Sequence, residues 1–582
     1  MQSPRIHRLI REERVLATAG AIAFGVIFSI PILGGLGTPG RFIDWDYNLG
    51  LQWVAYHTVV HFHQLPLWNP YKCGGMAMLT NPGSHVATPW FILTLMFGAF
   101  AGIHLEIPTH IAIAWAGGYV LARVVGIRPL AAALSACVFP ASSWYYLHLG
   151  AGQIWALAYV YTPWFLAMAW RASDRADIRY AVAAGGALAL SFLEGNPYPP
   201  AFAVVTAAIV LSAMALMQRS IWPLAVLVIA TLFAIGFSAI KLFPGYLVSI
   251  QHPRLDFQLE ADSWMVMRSA LFSRVQNVFR GSSNEWGFWE IGAYIGGFAI
   301  PATLAMARPM RALPWLFTTA VLYLVARGDA GPPNLWEVLH RLPEFSSLRL
   351  PSRFLIDMVC IVGVLAGFGF DWLCAIDRPW GVVVAIGLAL GSTIDCWMVA
   401  TPNLLGALWD TASLSAPARD FRQMARGVPD NSMLIPAMEN LGVVQCYEYT
   451  DWDSTVRPSD EPGYQGEQYL VGPGTITLER WTPNALSYQV DAPGPTLIVI
   501  NQNFDSGWRI ASGAGEIVSY EGLIGVHVPA GIQIVKLHYI SVAFLIGAAV
   551  SLLTLVLAII VVRVMSVPEN TPSYAGRRDT AS

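Results

Sequence analysis

Charged residues are scarce in this chain of 582 residues. Only 12% of the residues are Asp, Glu, Lys or Arg, whereas 55% are hydrophobic. A soluble globular protein normally carries about 25% charged residues. The net charge of -3 also lacks the basic excess that is typical of proteins that bind nucleic acid. The composition therefore predicts a polytopic membrane protein without a nucleic-acid partner.

Cysteine is scarce as well, and no two of the six cysteines have the spacing of a CxxC or zinc motif. Cys73 and Cys446 fall in loops, where a disulfide bridge between them is one option. The others lie in or beside apolar runs and are expected to be small core residues. The chain also lacks internal repeats, low-complexity tracts and a signal-cleavage site, so the first apolar run is expected to stay as a helix.

Long apolar runs recur along most of the chain. A bilayer core of about 30 Å needs roughly 20 apolar residues in a helix. The twelve runs that qualify as candidate spans are 15-36, 108-125, 130-147, 153-171, 180-195, 199-217, 221-242, 290-307, 312-327, 353-373, 380-400 and 541-564.

Basic residues orient these spans. Arginines precede the first span and recur in alternate turns, as in "RASDRADIR" and "ARPMRA". The positive-inside rule then places both termini in the cytoplasm. The alternation holds only if 86-103, "VATPWFILTLMFGAFAGI", is re-entrant or interfacial rather than a crossing. The long loops, including the first loop 37-107, then all face outward.

The C-terminal part has a different composition. From about residue 485 to 540, polar and apolar residues alternate and Gly, Pro and Asn breaks recur, which predicts a small antiparallel β domain. Residues 401-480 are mixed, with a helix expected at 417-427. We therefore predict a helical membrane domain over 1-400, an extracytoplasmic β-rich domain over 401-540, and a last helix with a cytoplasmic tail over 541-582.

Two carboxylates, Asp44 and Asp46, stand just beyond the first span in "RFIDWDYNLGLQ". Acids this close to lipid are costly unless they have a function or a partner. One of them could act as general base for an attacking hydroxyl on the outer face. They could equally be solvated, or cap the helix that follows.

Motifs in a fixed order give the chain a family resemblance. "DWDYNLGLQ", "QLPLWNPYKCGGMAM" and "ATPWFILTLMFG" resemble the first outer loop of YfhO-type bacterial membrane proteins, within the GT-C class of membrane glycosyltransferases. "AIKLFPGYLVSIQHPR", "EIGAYIGGFAI", "LPEFSSLRLPSRFL" and "NQNFDSGWRI" resemble later segments of that family. The resemblance covers nearly the whole chain.

The resemblance implies a GT-C fold and an activity. GT-C enzymes transfer a sugar from a polyprenyl-phosphate donor to an acceptor on the outer face, here an envelope glycan, lipid or protein. The base would be Asp46, with Asp44 as alternate, and the enzyme would sit in the bacterial inner membrane. We expect no cofactor; some members of the class use a divalent metal, but no second carboxylate motif indicates one here.

Three cations are predicted to contact the donor phosphate. Arg349 and Arg353 straddle Pro351 at the start of one span, and Lys241 ends another. Arginine suits phosphate because its guanidinium forms paired hydrogen bonds. Alternatively, the two arginines anchor lipid headgroups, and the side chain of Lys241 extends to the membrane interface.

A further set of polar and aromatic side chains is predicted to line the outer cavity. The carboxylates of this set are equally candidates for helix caps, and the histidines for a polar face on an interfacial helix. The set comprises Glu194, Glu285, Glu290, His57, His61, Trp68 and Asn69.

Two other functions remain open. A transporter or flippase for a lipid-linked glycan would have the same hydropathy, although such proteins tend to show internal repeats. A non-catalytic envelope assembly protein would use the β-rich domain to hold partners. We expect the glycosyltransferase, since the large outer loops suit chemistry at the membrane surface.

Overall fold

A computed structural model describes most of the chain. It covers residues 4-33, 43-252, 261-276, 288-343, 345-376, 378-405, 420-425, 433-446 and 454-565. Glu285, one of the predicted cavity residues, lies outside the described residues. The helices in chain order are α1 Pro4–Leu33, α2 Ile43–Val60, α3 Phe91–Phe97, α4 Ala99–Val124, α5 Pro129–Ser135, α6 Val138–Ala141, α7 Ser143–Ala151, α8 Thr162–Arg175, α9 Ile178–Leu193, α10 Tyr198–Gln218, α11 Trp222–Gln251, α12 Trp264–Phe272, α13 Phe288–Ile291, α14 Ala299–Leu304, α15 Pro309–Ala326, α16 Leu335–His340, α17 Phe354–Leu373, α18 Pro379–Leu405, α19 Leu434–Met438 and α20 Val542–Val564.

The protein is a multi-pass membrane protein. Within the described part of the chain, nine helices are long and apolar enough to cross a membrane. The three other predicted spans also form helices: α4, the 3-10 helix Ile154–Tyr161 that continues into α8, and the shorter apolar helix α9. Each of the twelve predicted spans therefore contains helix within its described residues, although three fall short of the length or hydropathy of the nine.

Helix α17 forms the centre of the bundle. Its apolar span, Pro351–Leu373, is completely buried by other helices, whereas the span of α20 is only 11% buried. Helix α20 packs on α11 through glycines, since Gly236 faces Thr554 and Gly547 faces the carbonyl of Ala239. Small residues allow this close approach of helix backbones, which is a common mode of packing in membranes.

The segment 86-103 does not cross the membrane by itself. Helix α3 has seven residues and spans only about 10 Å, a third of a bilayer core. The chain turns at Gly98, whose φ is +86°, and α4 then runs back along α3. Gly102 lies so close to Thr94 that a β-carbon would come within 2.5 Å of its Cα. This fits the re-entrant prediction, except that residues 99-103 belong to α4.

The turns predicted to be cytoplasmic meet at one end of the bundle. Arg128, before α5, and Arg308, before α15, both form ion pairs with Asp371 near the end of α17. Arg123, at the end of α4, pairs with Glu13 in α1 at 2.8 Å. These contacts connect turns that the charge pattern assigns to the same side.

The C-terminal region is β-rich, as predicted. Its antiparallel strands form two four-stranded sheets with the orders β10-β11-β8-β5 and β6-β7-β12-β9. Alternate residues of β7, β8, β11 and β12 point into one shared core, so the sheets form a sandwich. The strands of the chain are β1 Trp68–Asn69, β2 Met76–Ala77, β3 Arg422–Met424, β4 Leu441–Val443, β5 Gln468–Val471, β6 Thr475–Thr482, β7 Ala485–Ala492, β8 Thr496–Asn503, β9 Trp508–Ser512, β10 Glu516–Tyr520, β11 Leu523–Val528 and β12 Gly531–Tyr539.

The loop after α2 belongs to this β-rich module. The hairpin β1–β2 inserts Trp68 into the core of the sandwich, beside Trp508 and Tyr539. Cys73 and Cys446 form a disulfide, the option that the sequence left open. Two segments that are 373 residues apart in sequence are thereby joined covalently.

The helix expected at 417-427 is wrong for the residues that the structure describes there. Arg422–Met424 is a strand that pairs in parallel with β4. Its Gln423 donates a side-chain hydrogen bond to the carbonyl of Pro70 at 3.0 Å, and its backbone N–H donates to Glu467 at 2.8 Å. These partners come from distant segments, and their tertiary contacts override the local helix preference.

Candidate functional site

The first turn of α2 carries the two predicted catalytic carboxylates. Both oxygens of Asp46 accept backbone hydrogen bonds, Oδ1 from Leu434 at 3.1 Å and Oδ2 from Met433. The carboxylate therefore caps the start of α19 and connects α2 to the β-rich module. Sequence reasoning considered a cap on the helix that Asp46 itself opens, whereas the helix it caps lies 388 residues further along.

Asp44 is half-buried at the start of α2, next to the loop that follows α7. Asn48 connects the two segments because its amide donates to the carbonyls of Asp44, at 2.8 Å, and Gly152, at 3.0 Å. Gly152 has a φ of +89°, and a β-carbon there would lie 2.2 Å from the backbone nitrogen of Trp45. Only glycine can therefore bring this loop so close to the backbone of the first turn of α2.

A buried ion pair lies against this loop. Gln153 donates to Glu290 Oε1 at 3.1 Å, and Glu290 accepts two hydrogen bonds from Arg353, both of 2.9 Å. The guanidinium of Arg353 lies 4.2 Å from the ring of Trp155 and 4.4 Å from that of Tyr198. Arg353 thus has a fixed bidentate partner, and a donor phosphate could bind it only in competition with Glu290.

Arg349 lies on the segment that leads into the 3-10 turn Pro351–Arg353. Its side chain is half-buried, and its backbone N–H donates to the hydroxyl of Tyr198 at 2.9 Å. Tyr198 therefore contacts both predicted phosphate-binding arginines, through its ring and its hydroxyl. Of the two, Arg349 is the one nearer the surface.

Lys241 is buried and uses all of its donors within the protein. Its ammonium donates to the carbonyls of Ser84 at 2.8 Å, Pro82 at 3.0 Å and Leu193 at 3.3 Å. It therefore ties the loop before α3 to the end of α9. Snorkelling toward the surface does not describe this lysine, since its side chain is engaged inside the bundle.

Glu194 lies beside that tie, in a cluster that sequence reasoning missed. The other members are His85, Glu106 and His110, all buried. The ligand atoms of His85, Glu106 and Glu194 lie within 4.8 Å of one another, close enough for one metal ion. Glu106 and His110 are spaced i, i+4 within an apolar helix, and this spacing was the available signal.

The predicted cavity residues of the first loop lie elsewhere. His57 stacks on Trp53 and His61 with ring centroids 4.5 and 4.6 Å apart, and burial lowers the pKa of His57 to about 4. The thirteen residues from Asp44 to His57 correspond to about 20 Å along α2. The stacked rings are therefore remote from the carboxylates.

Trp68 and Asn69 have packing and turn roles. The indole of Trp68 is buried and donates to Gln502 at 2.8 Å. The amide oxygen of Asn69 accepts the backbone N–H of Tyr71 at 3.0 Å. Both side chains thus stabilise the hairpin and its insertion into the sandwich.

Comparisons with known proteins give no family match but several likenesses to solved structures, among them the following two. No protein-family model and no curated protein matches the chain. The fold is similar to ArnT from Cupriavidus metallidurans in the apo state, at 14% identity and a TM-score of 0.44, over 74% of this chain and 86% of ArnT. It is similar to the arabinofuranosyltransferase AftD from Mycobacteria, at 15% identity and a TM-score of 0.44, over 88% of this chain and 40% of AftD. At this level neither substrate nor chemistry transfers.

Proposed function

We propose that the protein is a membrane glycosyltransferase of the GT-C class. It transfers a sugar from a polyprenyl-phosphate donor to an envelope acceptor on the outer face of the bacterial inner membrane. The observation that carries the proposal is the first turn of α2, where two carboxylates follow the first span beside the loop whose Gln153 hydrogen-bonds the buried Glu290–Arg353 pair. The order of motifs along the chain, which resembles the YfhO-type family, supports the same activity.

Asp44 is the base in this proposal, and Asp46 holds it in place. A general base must reach the proton of the attacking hydroxyl. The carboxylate of Asp46 is occupied by two backbone donors of α19, so it suits a positioning role. Asp44 opens the same helix turn and is half-exposed. It takes the proton while the acceptor oxygen attacks the anomeric carbon and the polyprenyl phosphate leaves with the electron pair of the broken bond.

Arg349 is the cation that we assign to the donor phosphate. Its side chain is half-buried and nearer the surface than that of Arg353, and its backbone N–H donates to Tyr198, whose ring Arg353 contacts. A charge-assisted hydrogen bond contributes about 1.5–3 kcal/mol. Arg349→Ala should therefore raise the apparent donor constant about tenfold or more, whereas Arg341→Ala, which changes an exposed arginine on α16, should not.

The β-rich module is proposed to guide the acceptor. It contains a cavity of about 840 Å³, a size suited to a small ligand. Polar and aromatic groups that could bind sugar hydroxyls and faces line it, among them Arg457, Tyr469 and Asn501. Asp46 and the Cys73–Cys446 disulfide connect this module to the helices that carry the proposed base.

Sugar transfer in lipid nanodiscs tests the proposal. The full-length protein is mixed with radiolabelled polyprenyl-phosphate pentoses and hexoses and with extracted envelope lipids and glycans. Asp44→Asn keeps the shape of the side chain but removes the base, so turnover should fall by about 10²–10⁴-fold while donor binding survives. Asp174→Asn, at an exposed position near the end of α8, is the matched control.

The second carboxylate separates positioning from catalysis. Asp46→Asn should lower turnover less than Asp44→Asn and should also increase hydrogen exchange at α19, since it loses a cap. Should a folded Asp44→Asn variant keep near-normal turnover while Asp46→Asn abolishes it without changing α19, the two roles are exchanged. If both variants transfer sugar normally, neither carboxylate is the base.

A further inference from the structure

Three buried polar atoms lie close together where α4, the end of α9 and the loop before α3 meet. They are His85 Nδ1, Glu106 Oε1 and Glu194 Oε2, and none has a hydrogen-bond partner. Each of the three residues is at most 2% exposed. A buried polar group without a partner typically costs about 1–3 kcal/mol, and more when it is charged. Three such atoms close together indicate a ligand that binds all of them.

Their spacing indicates what that partner is. His85 Nδ1 lies 3.6 Å from Glu106 Oε1 and 3.9 Å from Glu194 Oε2. These distances exceed those of normal hydrogen bonds, which end near 3.2 Å. A tetrahedral ion with ligands at about 2.1 Å would hold them about 3.4 Å apart. Small movements would bring the three atoms to that geometry.

The tautomer of His110 gives an independent argument. Its Nδ1 lies 2.9 Å from the carbonyl of Glu106 and must donate to it. In a neutral ring, Nε2 is then an acceptor, yet it lies 3.4 Å from Glu194 Oε1. Two acceptors face each other, which is favourable only if a cation lies nearby or if the ring or the Glu194 carboxyl binds a proton. The metal and the proton are thus the two alternatives to separate.

The surroundings hold the ligands as the second shell of a metal site would. Glu194 Oε1 accepts hydrogen bonds from Thr88 at 3.0 Å and Tyr161 at 3.2 Å, which fix the direction of the carboxylate. The ammonium of Lys241 donates hydrogen bonds to the carbonyls of Ser84 and Leu193, the residues directly before His85 and Glu194. Outer contacts of this kind orient first-shell ligands.

We propose that His85, Glu106 and Glu194 bind one divalent transition-metal ion of the zinc class. Imidazole together with carboxylates suits such an ion, whereas Mg²⁺ and Ca²⁺ prefer ligands that are all oxygen. The ion ties the loop before α3 to α4 and α9, and Lys241 is its positioning residue. Three protein ligands leave a fourth position for water or another oxygen donor. The site does not depend on the proposed sugar transfer.

Metal counting on the intact protein tests this site. The full chain, carrying a purification tag without histidine and purified without chelator, should contain about one equivalent of zinc-class metal by mass spectrometry. Stripping with a chelator should lower the thermal midpoint, and Zn²⁺ should restore it where the same concentration of Mg²⁺ does not. X-ray absorption should show nitrogen and oxygen ligands at about 2.0–2.1 Å.

Variants show which residues hold the ion. Glu194→Gln and His85→Ala should each retain less than about a tenth of an equivalent. The matched control, His57→Ala with His61→Ala, should retain a full equivalent, because that stacked pair lies at the end of α2. If the wild-type protein binds no Zn²⁺ after reconstitution, the cluster holds a proton rather than a metal and the proposal fails. Full metal content in both ligand variants would also overturn it, and neither result bears on sugar transfer.

Discussion

Replacing Glu290 by glutamine should destabilise the helical bundle strongly. In the wild-type protein, Arg353 is only 7% exposed and Glu290 3% exposed, and two hydrogen bonds of 2.9 Å join them. Glu290→Gln keeps the size of the side chain but removes its charge. The guanidinium of Arg353 then remains buried between Trp155 and Tyr198 without a counterion.

The expected loss follows from that isolated charge. Removing one partner of a buried ion pair typically costs about 3–5 kcal/mol, because the remaining ion has lost its compensation. Arg353→Met should cost a similar amount, since it isolates the carboxylate of Glu290. The double variant should cost less than the sum of the two single variants, with a coupling of roughly 1–3 kcal/mol.

The assay is the free energy of unfolding in mixed detergent micelles. Glu337→Gln is the matched control, because Glu337 pairs with Arg341 at 2.6 Å on α16 but the two side chains are 51% and 74% exposed. An exposed pair of this kind contributes about 0–1 kcal/mol. Two results would contradict a buried ion pair between Glu290 and Arg353. One is a loss of unfolding free energy in Glu290→Gln no larger than in Glu337→Gln, and the other is a double variant whose loss equals the sum of those of Glu290→Gln and Arg353→Met.

Three further changes test other contacts. Gly152→Ala should cost more than about 1 kcal/mol of unfolding free energy, because it strains a positive φ and presses on the backbone of Trp45. Cys73→Ser and Cys446→Ser should each cost about 2–5 kcal/mol, and the double variant no more, since one disulfide is lost in each case. Glu467→Gln should flatten the fall in the thermal midpoint of the protein between pH 4.5 and 7, because burial raises the pKa of Glu467 to about 7.

The sign of the Glu467 effect follows from proton binding. Because its pKa is raised above the ordinary glutamate value of 4.5, the folded protein binds this proton more tightly than the unfolded chain does. The stabilisation is complete below about pH 4.5 and is lost as the pH rises through 7, by on the order of 2–3 kcal/mol. Glu461→Gln, at an exposed carboxylate nearby, should leave the slope unchanged. A steeper slope in Glu467→Gln would contradict the assignment.

The glycine and cysteine changes have controls as well. Gly186→Ala places a methyl group on α9 where no atom lies within 4 Å, so it should stabilise the helix slightly, by up to about 1 kcal/mol. Cys374→Ser changes a cysteine that forms no disulfide and should not alter mobility on a non-reducing gel. If Gly152→Ala matched Gly186→Ala in sign, the loop after α7 would not lie against α2 as closely as described.

Much of the membrane architecture could be predicted from sequence, because it depends on short-range patterns. Hydropathy over about 20 residues located the spans, and arginine placement assigned to one side the turns that meet around Asp371. The alternating pattern after residue 485 indicated the region of six of the eight sandwich strands, whereas β5 and β6 lie before it. The insertion of Trp68 into the sandwich and the strand at Arg422–Met424 could not be predicted, since both depend on partners that are hundreds of residues away.

In the candidate site, too, the sequence identified the residues but not their distant partners. The sequence identified Asp46, Lys241 and Arg353 as charges in unusual places, and it interpreted them as reactive or ligand-binding groups. In the structure, each holds protein groups: Asp46 two backbone N–H groups, Lys241 three carbonyls and Arg353 a carboxylate. A charge near lipid needs a partner, but sequence alone does not show whether that partner is a substrate or the protein itself.

The contacts of Asp46, Lys241 and Arg353 have a structural role that follows from the segments they connect. Asp46 joins the start of α2 to the start of α19, Lys241 joins the loop before α3 to the end of α9, and Arg353 joins the turn before α17 to α13. Irregular backbone near the bilayer core exposes carbonyls and N–H groups that lipid cannot satisfy. Asp46 satisfies two backbone N–H groups and Lys241 three carbonyls, whereas Arg353 and Glu290 neutralise each other. These contacts are therefore what allow an open, loop-rich surface, with Asp44 and Arg349 on it, to be held at a defined geometry above an apolar bundle.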